Sequence, residues 1–214
     1  MAFLTTSPNS DGAFHITLDI AEQSIQKKSM SIDEDMYYDM ISAFCKSLRG
    51  SDSDAALYWA ERLLQAGCDP MLILRRLVVH SSEDVGMADP QALIITTSAM
   101  YAFEHLGMPE GKIPMYNAII YVCEASKSNS VVAAMERVGN AVEKVKDDNV
   151  PLYLRDAHYK KDKVGGYKYP HDFGGWVKQQ YLPDSLKDEQ FYKPSVNGYE
   201  KFLTRAKTIG KNKG

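Results

Sequence analysis

The sequence predicts an all-α fold, in which a bundle of short antiparallel helices precedes an irregular C-terminal segment rich in glycine, proline and aromatic residues. Apolar residues recur at three- and four-residue steps through most of residues 16–147. Asp-Pro pairs and glycines mark helix starts and ends, and no stretch alternates apolar and polar residues as a strand does. With 214 residues, 44% of them hydrophobic, the chain is globular and long enough to bury a sizeable core.

The helical pattern begins at Ile16. Residues 1–15 lack periodicity, so we expect a disordered end or a cloning remnant there. ITLDIAEQSIQ, with Thr17 as a candidate N-cap, predicts the first helix. SIDEDMYYDMISAFCKSLRGSD predicts the next helix, which ends at Gly50. SDSDAALYWAERLLQAGCD predicts a third, with one apolar face and an end at Gly67.

Two Asp-Pro pairs start the helices that follow. Asp69 is a candidate N-cap with Pro70 at the first helical position, and Asp89 with Pro90 repeats the pattern before a helix that ends at Gly107. IPMYNAIIYVCEAS and SNSVVAAMERVGNAVEKVKD predict two more helices. The second has its cap near Ser128 or Asn129 and an apolar stripe of Val131, Ala134, Met135, Val138, Ala141, Val142 and Val145. A short last helix is predicted at about 199–207.

The charge of the chain is unevenly divided. Residues 151–214 carry 13 lysines and arginines against 7 acidic residues, a net charge of +6, whereas the first 150 residues carry 12 against 21, a net charge of −9. Prolines and glycines also become frequent beyond Asp148. We therefore predict a helical domain over 16–150 and a basic, loop-rich tail over 151–214 that packs on it. Docking on the acidic body and contact with a polyanion both remain open from charge alone.

The residues that carry known chemistries are mostly missing from the sequence. GMPEGKIP is the nearest string to a phosphate-binding loop, but it has three residues between its glycines and no hydroxyl after Lys112, so it predicts a helix connection. The three cysteines lie far apart among apolar residues, which predicts buried reduced thiols. We expect no metal and no cofactor in this chain. With no secretory signal or long apolar run, the sequence predicts a cytoplasmic protein without membrane contact.

Three polar groups are weaker candidate sites. Arg75 and Arg76 lie on an apolar helix, so one is expected near the apolar face, in an ion pair with a neighbouring helix rather than on a ligand. His80 and Asp84, four residues apart, have acid-base spacing, although a turn role for Glu83 and Asp84 is favoured. SKSNS, residues 126–130, is interpreted as helix capping before anion binding.

VGGYKYPHDFGGWVKQQYLP, residues 164–183, cannot form one helix because of its glycines and prolines. Its rings fit packing on the helical body, which is favoured, or stacking on nucleobases with lysines at the phosphates. Catalysis by His171 is the least favoured interpretation. The candidate residues for an interface or DNA contact are Arg75, Arg76, Lys163, Tyr167, Lys168, Tyr169, His171, Trp176 and Lys178.

Four ordered strings together resemble a known family. They are RGSDSDAALYWAERLLQAGCDPMLILRRLVVHSSEDVGMADP, LGMPEGKIPMYNAIIYVCEASKSNS, VPLYLRDAHY and GYKYPHDFGGWVKQQYLP. They resemble the C-terminal region of the replication-associated recombination protein A family, AAA+ ATPases akin to clamp-loader subunits and to the Werner-helicase-interacting protein. The resemblance covers about residues 16–200.

The resemblance implies a collar-like helical region, as in clamp loaders, that assembles into a homotetramer. It also implies a role in DNA replication, recombination and repair at stalled forks, with nucleoid association and contacts to DNA and to replication proteins such as single-strand-binding protein. This sequence has no Walker A, Walker B or sensor arginine, so ATP and magnesium would belong to an ATPase domain that it lacks. We therefore expect no ATP turnover by this chain. The rival hypothesis is a free-standing nucleic-acid-binding module that works through the basic tail.

Overall fold

A computed structural model describes residues 34–156 and 166–203. Their regular structure consists of seven α-helices and short 3-10 and π turns, with no strand among these residues, which confirms the predicted all-α class. The predictions for residues 1–15, for the helix from Ile16 and for Lys163 lie outside the described residues. No helix in the described ranges is long and apolar enough to cross a membrane.

The described residues divide into two compact units. The first unit comprises the described residues up to Val85 together with Gln91–Ala125. Its helices, each close to a predicted one, are α1 (Glu34–Arg49), α2 (Ser53–Gln65), α3 (Pro70–His80), α4 (Gln91–Leu106) and α5 (Lys112–Glu124). A π-helical turn, Ser81–Val85, follows α3.

Residues that start helices lie where these helices begin. The Asp69 carboxylate accepts a hydrogen bond of 2.9 Å from the Met71 backbone N–H, and Pro70 occupies the first turn of α3, as predicted. Asp52 caps α2 in the same way, accepting from Ala55 N at 2.9 Å. GMPEGKIP does connect two helices, α4 and α5. All three cysteines are free, with Cys68 and Cys123 buried and Cys45 partly exposed.

The core of the first unit is made by the apolar faces of α1–α5. Its largest fully buried apolar side chains are Phe44, Leu48, Leu63, Ile73, Leu74, Leu77, Val85, Met115, Ile119 and Val122. Burying a side chain of this size stabilises the fold by about 1.5–3 kcal/mol relative to leaving it in water. The helical periodicity read from the sequence therefore corresponds to a closed hydrophobic core.

The second unit comprises Gly86–Pro90 and the described residues from Ser126 onward. It contains α6 (Ser130–Val145), the short α7 (Glu200–Leu203) and 3-10 turns at Gly86–Ala88, Leu152–Leu154, Pro170–Phe173 and Asp184–Leu186. The contacts group α6 with the residues that follow it, whereas composition placed it with the helices before it. The oligomerisation and packing roles assigned to residues 16–150 and 151–214 stay predictions.

Candidate interaction surfaces

Helix α6 carries an apolar stripe that the described residues cover only in part, with its two alanines half-buried and its valines and methionine exposed. Met135 is 67% exposed and Val142 63%, and the remaining valines of the stripe are exposed as well. Ser130 is the only buried residue of this 16-residue helix. A surface helix of a globular protein normally packs its apolar stripe against the core. The stripe, residues 131, 134, 135, 138, 141, 142 and 145, is therefore a candidate docking face.

The rest of the second unit holds α6 by a different side. Ser130 is buried, and Arg137, seven residues later, donates a 2.5 Å hydrogen bond to the Phe191 carbonyl oxygen. Residues seven apart share one side of a helix, so these two mark the attached side. At 3.6 residues per turn, Val142 lies roughly 140° around the helix from Arg137. The most exposed part of the stripe therefore points away from the attachment.

A buried carboxylate lies at the N-terminus of α6. Glu200, in α7, is fully buried and accepts four hydrogen bonds. The donors are Ser128 Oγ at 2.7 Å, Ser130 Oγ, Tyr192 OH at 2.8 Å and the Ser195 backbone N–H at 2.9 Å. Burial acts to raise the pKa of Glu200, but the hydrogen bonds from the serines outweigh it and lower the pKa to about 2. Glu200 is therefore ionised at neutral pH.

This carboxylate explains the SKSNS string. Capping was the favoured prediction, with the cap near Ser128 or Asn129. Ser128 Oγ does accept from the Ser130 backbone N–H at 3.3 Å, whereas the Asn129 side chain makes no capping hydrogen bond. The Ser128 and Ser130 hydroxyls also donate to Glu200. The segment thus binds an anion, and that anion is a carboxylate of the same chain.

The loop from 166 to 183 displays its rings. Its five aromatic side chains are each 47–54% exposed, namely Tyr167, Tyr169, Phe173, Trp176 and Tyr181. Lys168, His171 and Lys178 are exposed as well. About half of each ring is therefore open to a partner, while packing of the loop on the helical body stays a prediction. Lys163, predicted to act with this loop, lies outside the described residues.

Hydrogen bonds hold the two arms of this loop together. Gln179 Nε2 donates to the Lys168 carbonyl oxygen at 2.8 Å, and its Oε1 accepts from Lys168 N at 3.1 Å. Tyr153 OH anchors the neighbouring Gln180 through its carbonyl oxygen at 2.5 Å. Between the arms, Gly174 and Gly175 have φ of 72° and 94°, which glycine adopts without strain. The exposed rings are therefore set on a closed turn.

Arg75 and Arg76 do not match their prediction. Both are exposed, so neither lies near the apolar face of α3. Arg75 pairs at 3.3 Å with Asp69, the N-cap of its own helix, rather than with a neighbouring helix. The prediction was wrong because the buried positions of α3 are Ile73, Leu74, Leu77 and His80, a stripe that leaves both arginines on the outer side. A role of either arginine in an interface stays a prediction.

His80 and Asp84 do come together, within the first unit. His80 Nδ1 lies 2.6 Å from Asp84 Oδ2, and both residues are buried. The other Asp84 oxygen accepts a 2.7 Å hydrogen bond from Arg49 Nε, while Arg49 Nη2 donates to Glu83 at 2.9 Å. The turn role predicted for Glu83 and Asp84 is confirmed by the π-helical turn. With Arg49 at the second oxygen of Asp84, the cluster is an internal ion pair between α1 and that turn.

The first unit has an open groove between α1 and α2. It has a volume of about 530 Å³ and a mixed lining, in which Met36, Met40, Ala43, Tyr58 and Trp59 lie beside the polar or charged Asp39, Ser42, Lys46 and Arg62. Tyr58 packs edge-on against Trp59, with 5.1 Å between the ring centroids. Among the aromatic residues of these helices, Tyr38 and Tyr58 are more than half exposed. The first unit therefore leaves part of its own aromatic surface open.

Sequence reasoning missed the residues that act across long separations. Glu200 and Arg49 reach partners 70 and 35 residues away, and Gln179 bridges 11 residues. No local pattern marks such partners. The serines of SKSNS were a usable signal for the donors of the Glu200 cluster. Polar side chains at the start of a helix often take part in hydrogen bonding at its N-terminus.

Comparison with known proteins adds family models and relatives. A model described as "MgsA AAA+ ATPase C terminal" matches residues 50–209, and one described as "AAA C-terminal domain" matches residues 1–49. Replication-associated recombination protein A of Bacillus subtilis (strain 168) is 47% identical over 138 residues, which are 64% of this chain and 32% of that protein. The protein of the same name from Escherichia coli (strain K12) is 46% identical over 102 residues, 48% of this chain and 23% of that protein.

ATPase WRNIP1 of Dictyostelium discoideum is 43% identical over 108 residues, which are 50% of this chain and 12% of that protein. The chain thus spans less than two thirds of each of these curated relatives. The relatives confirm the resemblance that the ordered strings carry. Because the first family model covers well over half of the residues, the chain belongs to the MgsA AAA+ ATPase C-terminal family.

Proposed function

We propose that this chain is the oligomerisation and accessory region of a AAA+ ATPase, and that the α6 stripe is the face through which copies associate into a homotetramer. The exposed stripe is the observation that carries the proposal. An amphipathic helix with an uncovered apolar face gains free energy when a partner removes that face from water. Identical stripes on identical chains satisfy the self-complementarity that closed, symmetric assemblies require.

The chemistry of the stripe suits such a contact. Its side chains are valines, alanines and one methionine, with no charged group among them. Depletion of charge and enrichment of methionine are typical of the centre of a protein interface. Full burial of a valine or methionine side chain is worth about 1.5–3 kcal/mol. Several such side chains from each of two helices are enough to offset part of the entropy lost on association.

The stripe is tested by placing one charge on it. Val142→Glu in the 214-residue chain is expected to shift the sedimentation equilibrium mass from four times 24.0 kDa to that of the monomer at micromolar concentration. A glutamate at this position would be buried without a partner in the assembly, which costs several kcal/mol.

Asn140→Glu is the matched control. It adds the same charge to the same helix at an exposed position outside the stripe, and it is expected to leave the mass unchanged. Wild-type chain that stays monomeric across micromolar concentrations contradicts the proposal, and so does a Val142→Glu variant that still assembles.

For the parent protein we propose a DNA-dependent ATPase that acts in replication, recombination and repair at stalled forks. The printed names of the relatives, replication-associated recombination protein A and ATPase WRNIP1, support this role. The ATP and magnesium would be held by the ATPase domain of that protein. For this chain, which carries no Walker motif in its sequence, we propose no ATP turnover. A steady-state ATPase assay of the 214-residue chain that found turnover above buffer would contradict it.

A second candidate function is contact with single-stranded nucleic acid through the loop at 166–183. Its exposed rings and the adjacent Lys168 and Lys178 favour it. Aromatic rings stack on bases of any sequence, at roughly 1–3 kcal/mol per base, while lysines contact the phosphates. Stacking would therefore supply affinity and the lysines a salt dependence.

A salt titration of single-stranded DNA binding tests this candidate. Trp176→Ala is expected to weaken binding by at least about fivefold at every salt concentration, whereas Lys168→Gln with Lys178→Gln is expected to flatten the salt slope. Tyr58→Ala is the control, because Tyr58 is a ring in the first unit that is more exposed (57%) than Trp176 (47%). Equal losses from Tyr58→Ala and Trp176→Ala would remove the loop from consideration.

A further inference from the structure

Residues 191–203 lie against the N-terminal half of α6, and we propose that they form a clasp that fixes this helix with its stripe outward. Glu200 is the central positioning residue of the clasp. The inference deepens the proposed function and rests on it, because it makes assembly depend on residues that lie outside the stripe.

The clasp supplies the acceptor that the N-terminus of α6 lacks. The first N–H groups of a helix have no partner within the helix and need acceptors. Asn129, at the cap position, makes no side-chain hydrogen bond. Ser128 Oγ accepts from Ser130 N and donates to Glu200, so the carboxylate caps α6 through a serine. A negative charge at this end also complements the helix dipole.

Several independent hydrogen bonds anchor the clasp. Besides Glu200, the clasp donates from Asn197 Nδ2 to the Lys127 carbonyl oxygen at 2.9 Å and from Tyr199 N to the Ala88 carbonyl oxygen at 2.6 Å. It also accepts from Arg137 at the Phe191 carbonyl oxygen. These contacts bracket the first two turns of α6. A helix held at two levels on one side cannot turn about its axis without breaking them.

The clasp approaches the neighbouring backbone most closely at Gly198. This residue has φ of 50°, and a Cβ there would overlap the Ala88 carbonyl oxygen and come within 2.9 Å of Ser126 Cβ. Only glycine adopts this backbone conformation freely and leaves room for so close an approach. The clasp therefore closes on residues 86–90 and 126–130 at a position where any side chain would hold it open.

The clasp and the stripe lie on different sides of α6. The clasp contacts Ser130 and Arg137, on the side from which Val142 lies roughly 140° away. It therefore leaves the stripe free while fixing the direction in which the stripe points. Releasing the clasp would leave α6 with little packing of its own, since five of its apolar side chains are exposed and the others are only partly buried. The clasp thus orients α6 so that its stripe can bind a second copy of this chain.

Glu200→Ala and Glu200→Gln in the full 214-residue chain test the clasp. Glu200→Ala is expected to speed hydrogen exchange at residues 130–137 by at least about tenfold and to weaken self-association by a similar factor. Exchange in α1–α5 should stay unchanged, which shows that the first unit remains folded. Glu200→Gln keeps the shape, but it loses the charge and replaces one acceptor oxygen with an NH2 donor, so it is expected to give a smaller defect than Glu200→Ala in both properties, clearly separated from the wild type.

Gly198→Ala is the independent variant, because it leaves Glu200 in place and obstructs closure. It is expected to reproduce the exchange and association defects of Glu200→Ala. Gly174→Ala is its control, since Gly174 also has a positive φ, of 72°, but has open space where a Cβ would lie. It should change neither property.

The outcomes separate the clasp from the stripe. Unchanged exchange at residues 130–137 in both Glu200→Ala and Gly198→Ala overturns the clasp. Faster exchange there with unchanged association overturns the link from clasp to assembly. Exchange measured in the Val142→Glu background reports capping without any assembly, so a failure of the stripe as an interface leaves the capping result interpretable by itself.

Discussion

The two units of this chain hold themselves together by opposite means. In the first unit, α1–α5 turn their apolar faces inward around side chains such as Phe44 and Ile119. In the second unit, the buried residues are Ala88, Ser128, Ser130 and Glu200, among the positions that the structure describes. The first unit is built on hydrophobic burial, and the second on a buried, fully hydrogen-bonded carboxylate.

This difference between the two units indicates which surfaces are free to bind a partner. In the first unit most of the large apolar side chains of the helices are buried in the core or packed against it, and the open groove leaves some of them exposed. The second unit satisfies its polar groups and leaves valines and aromatic rings in water, which costs free energy unless a partner covers them. Exposed apolar groups on a locally ordered frame are therefore the feature that links this structure to binding.

The largest expected effect is in the core of the first unit. Phe44→Ala is expected to destabilise the chain by about 3–5 kcal/mol, because it removes a buried ring and leaves a cavity. Urea denaturation followed by far-UV circular dichroism measures it. Val142→Ala, in the exposed stripe, is the comparison and should cost the monomer less than about 0.5 kcal/mol. Similar costs at the two positions would contradict the contrast between the units.

The next effect concerns the ion pair in the first unit. Arg49→Ala is expected to cost about 1–3 kcal/mol, because it leaves the buried Asp84 with His80 as its remaining partner here. Arg75→Ala is the matched control, since both Arg75 and Asp69 are largely exposed and such pairs contribute about 0–1 kcal/mol. Thermal denaturation of both variants compares them. A loss for Arg75→Ala as large as for Arg49→Ala would mean that burial of the acid does not matter.

In the second unit the corresponding test is acid titration. The folded pKa of Glu200, about 2, lies below its ordinary value of 4.5, so its contribution to stability is full above pH 4.5 and is lost as the pH falls toward 2. Burial and Glu200 raise the pKa of Tyr192 to about 12, which keeps that hydroxyl a donor throughout. An NMR titration of the Glu200 carboxyl carbon measures the pKa. A midpoint near 4.5 would mean that the hydrogen bonds do not hold the charge.

Much of the first unit could be predicted from the sequence, because its determinants are local. The Asp69–Pro70 start and the three- and four-residue apolar steps of α1 fix helix type and position within a few residues. The orientation of Arg75 and Arg76 was mispredicted, since which side of a helix is buried depends on its neighbours in space. Arg49 reaching Asp84 is likewise a tertiary fact.

The candidate surfaces also combine features that the local sequence predicts with features that depend on the tertiary structure. The stripe of α6 was visible as a pattern, because amphipathicity depends only on spacing. Its exposure was not, since the same pattern usually marks a face packed on a core. For the rings at 166–183, composition favoured packing, and the structure shows each ring about half exposed, a degree of exposure that composition does not predict. Glu200 has no sequence signature, because its donors are supplied by residues up to 72 positions away.

The smallest expected effect separates local propensity from packing within α6. Gly139 lies one helical turn from both Met135 and Val142, so Gly139→Ala is made in the Val142→Glu background, where no second copy covers this face. There it is expected to stabilise the helix by about 0.5–1 kcal/mol, because a glycine inside a helix loses more backbone entropy than alanine and a Cβ at 139 meets open space. Hydrogen exchange of α6 amides measures it, with exchange in α2 as the internal reference. A helix packed like those of the first unit would respond mainly to contacts, whereas α6, with its apolar side exposed, should respond to propensity. Slower exchange in α6 alone would therefore show that backbone propensity, rather than tertiary contacts, limits the stability of this helix. Faster exchange would mean that the added Cβ disturbs a contact made at Gly139.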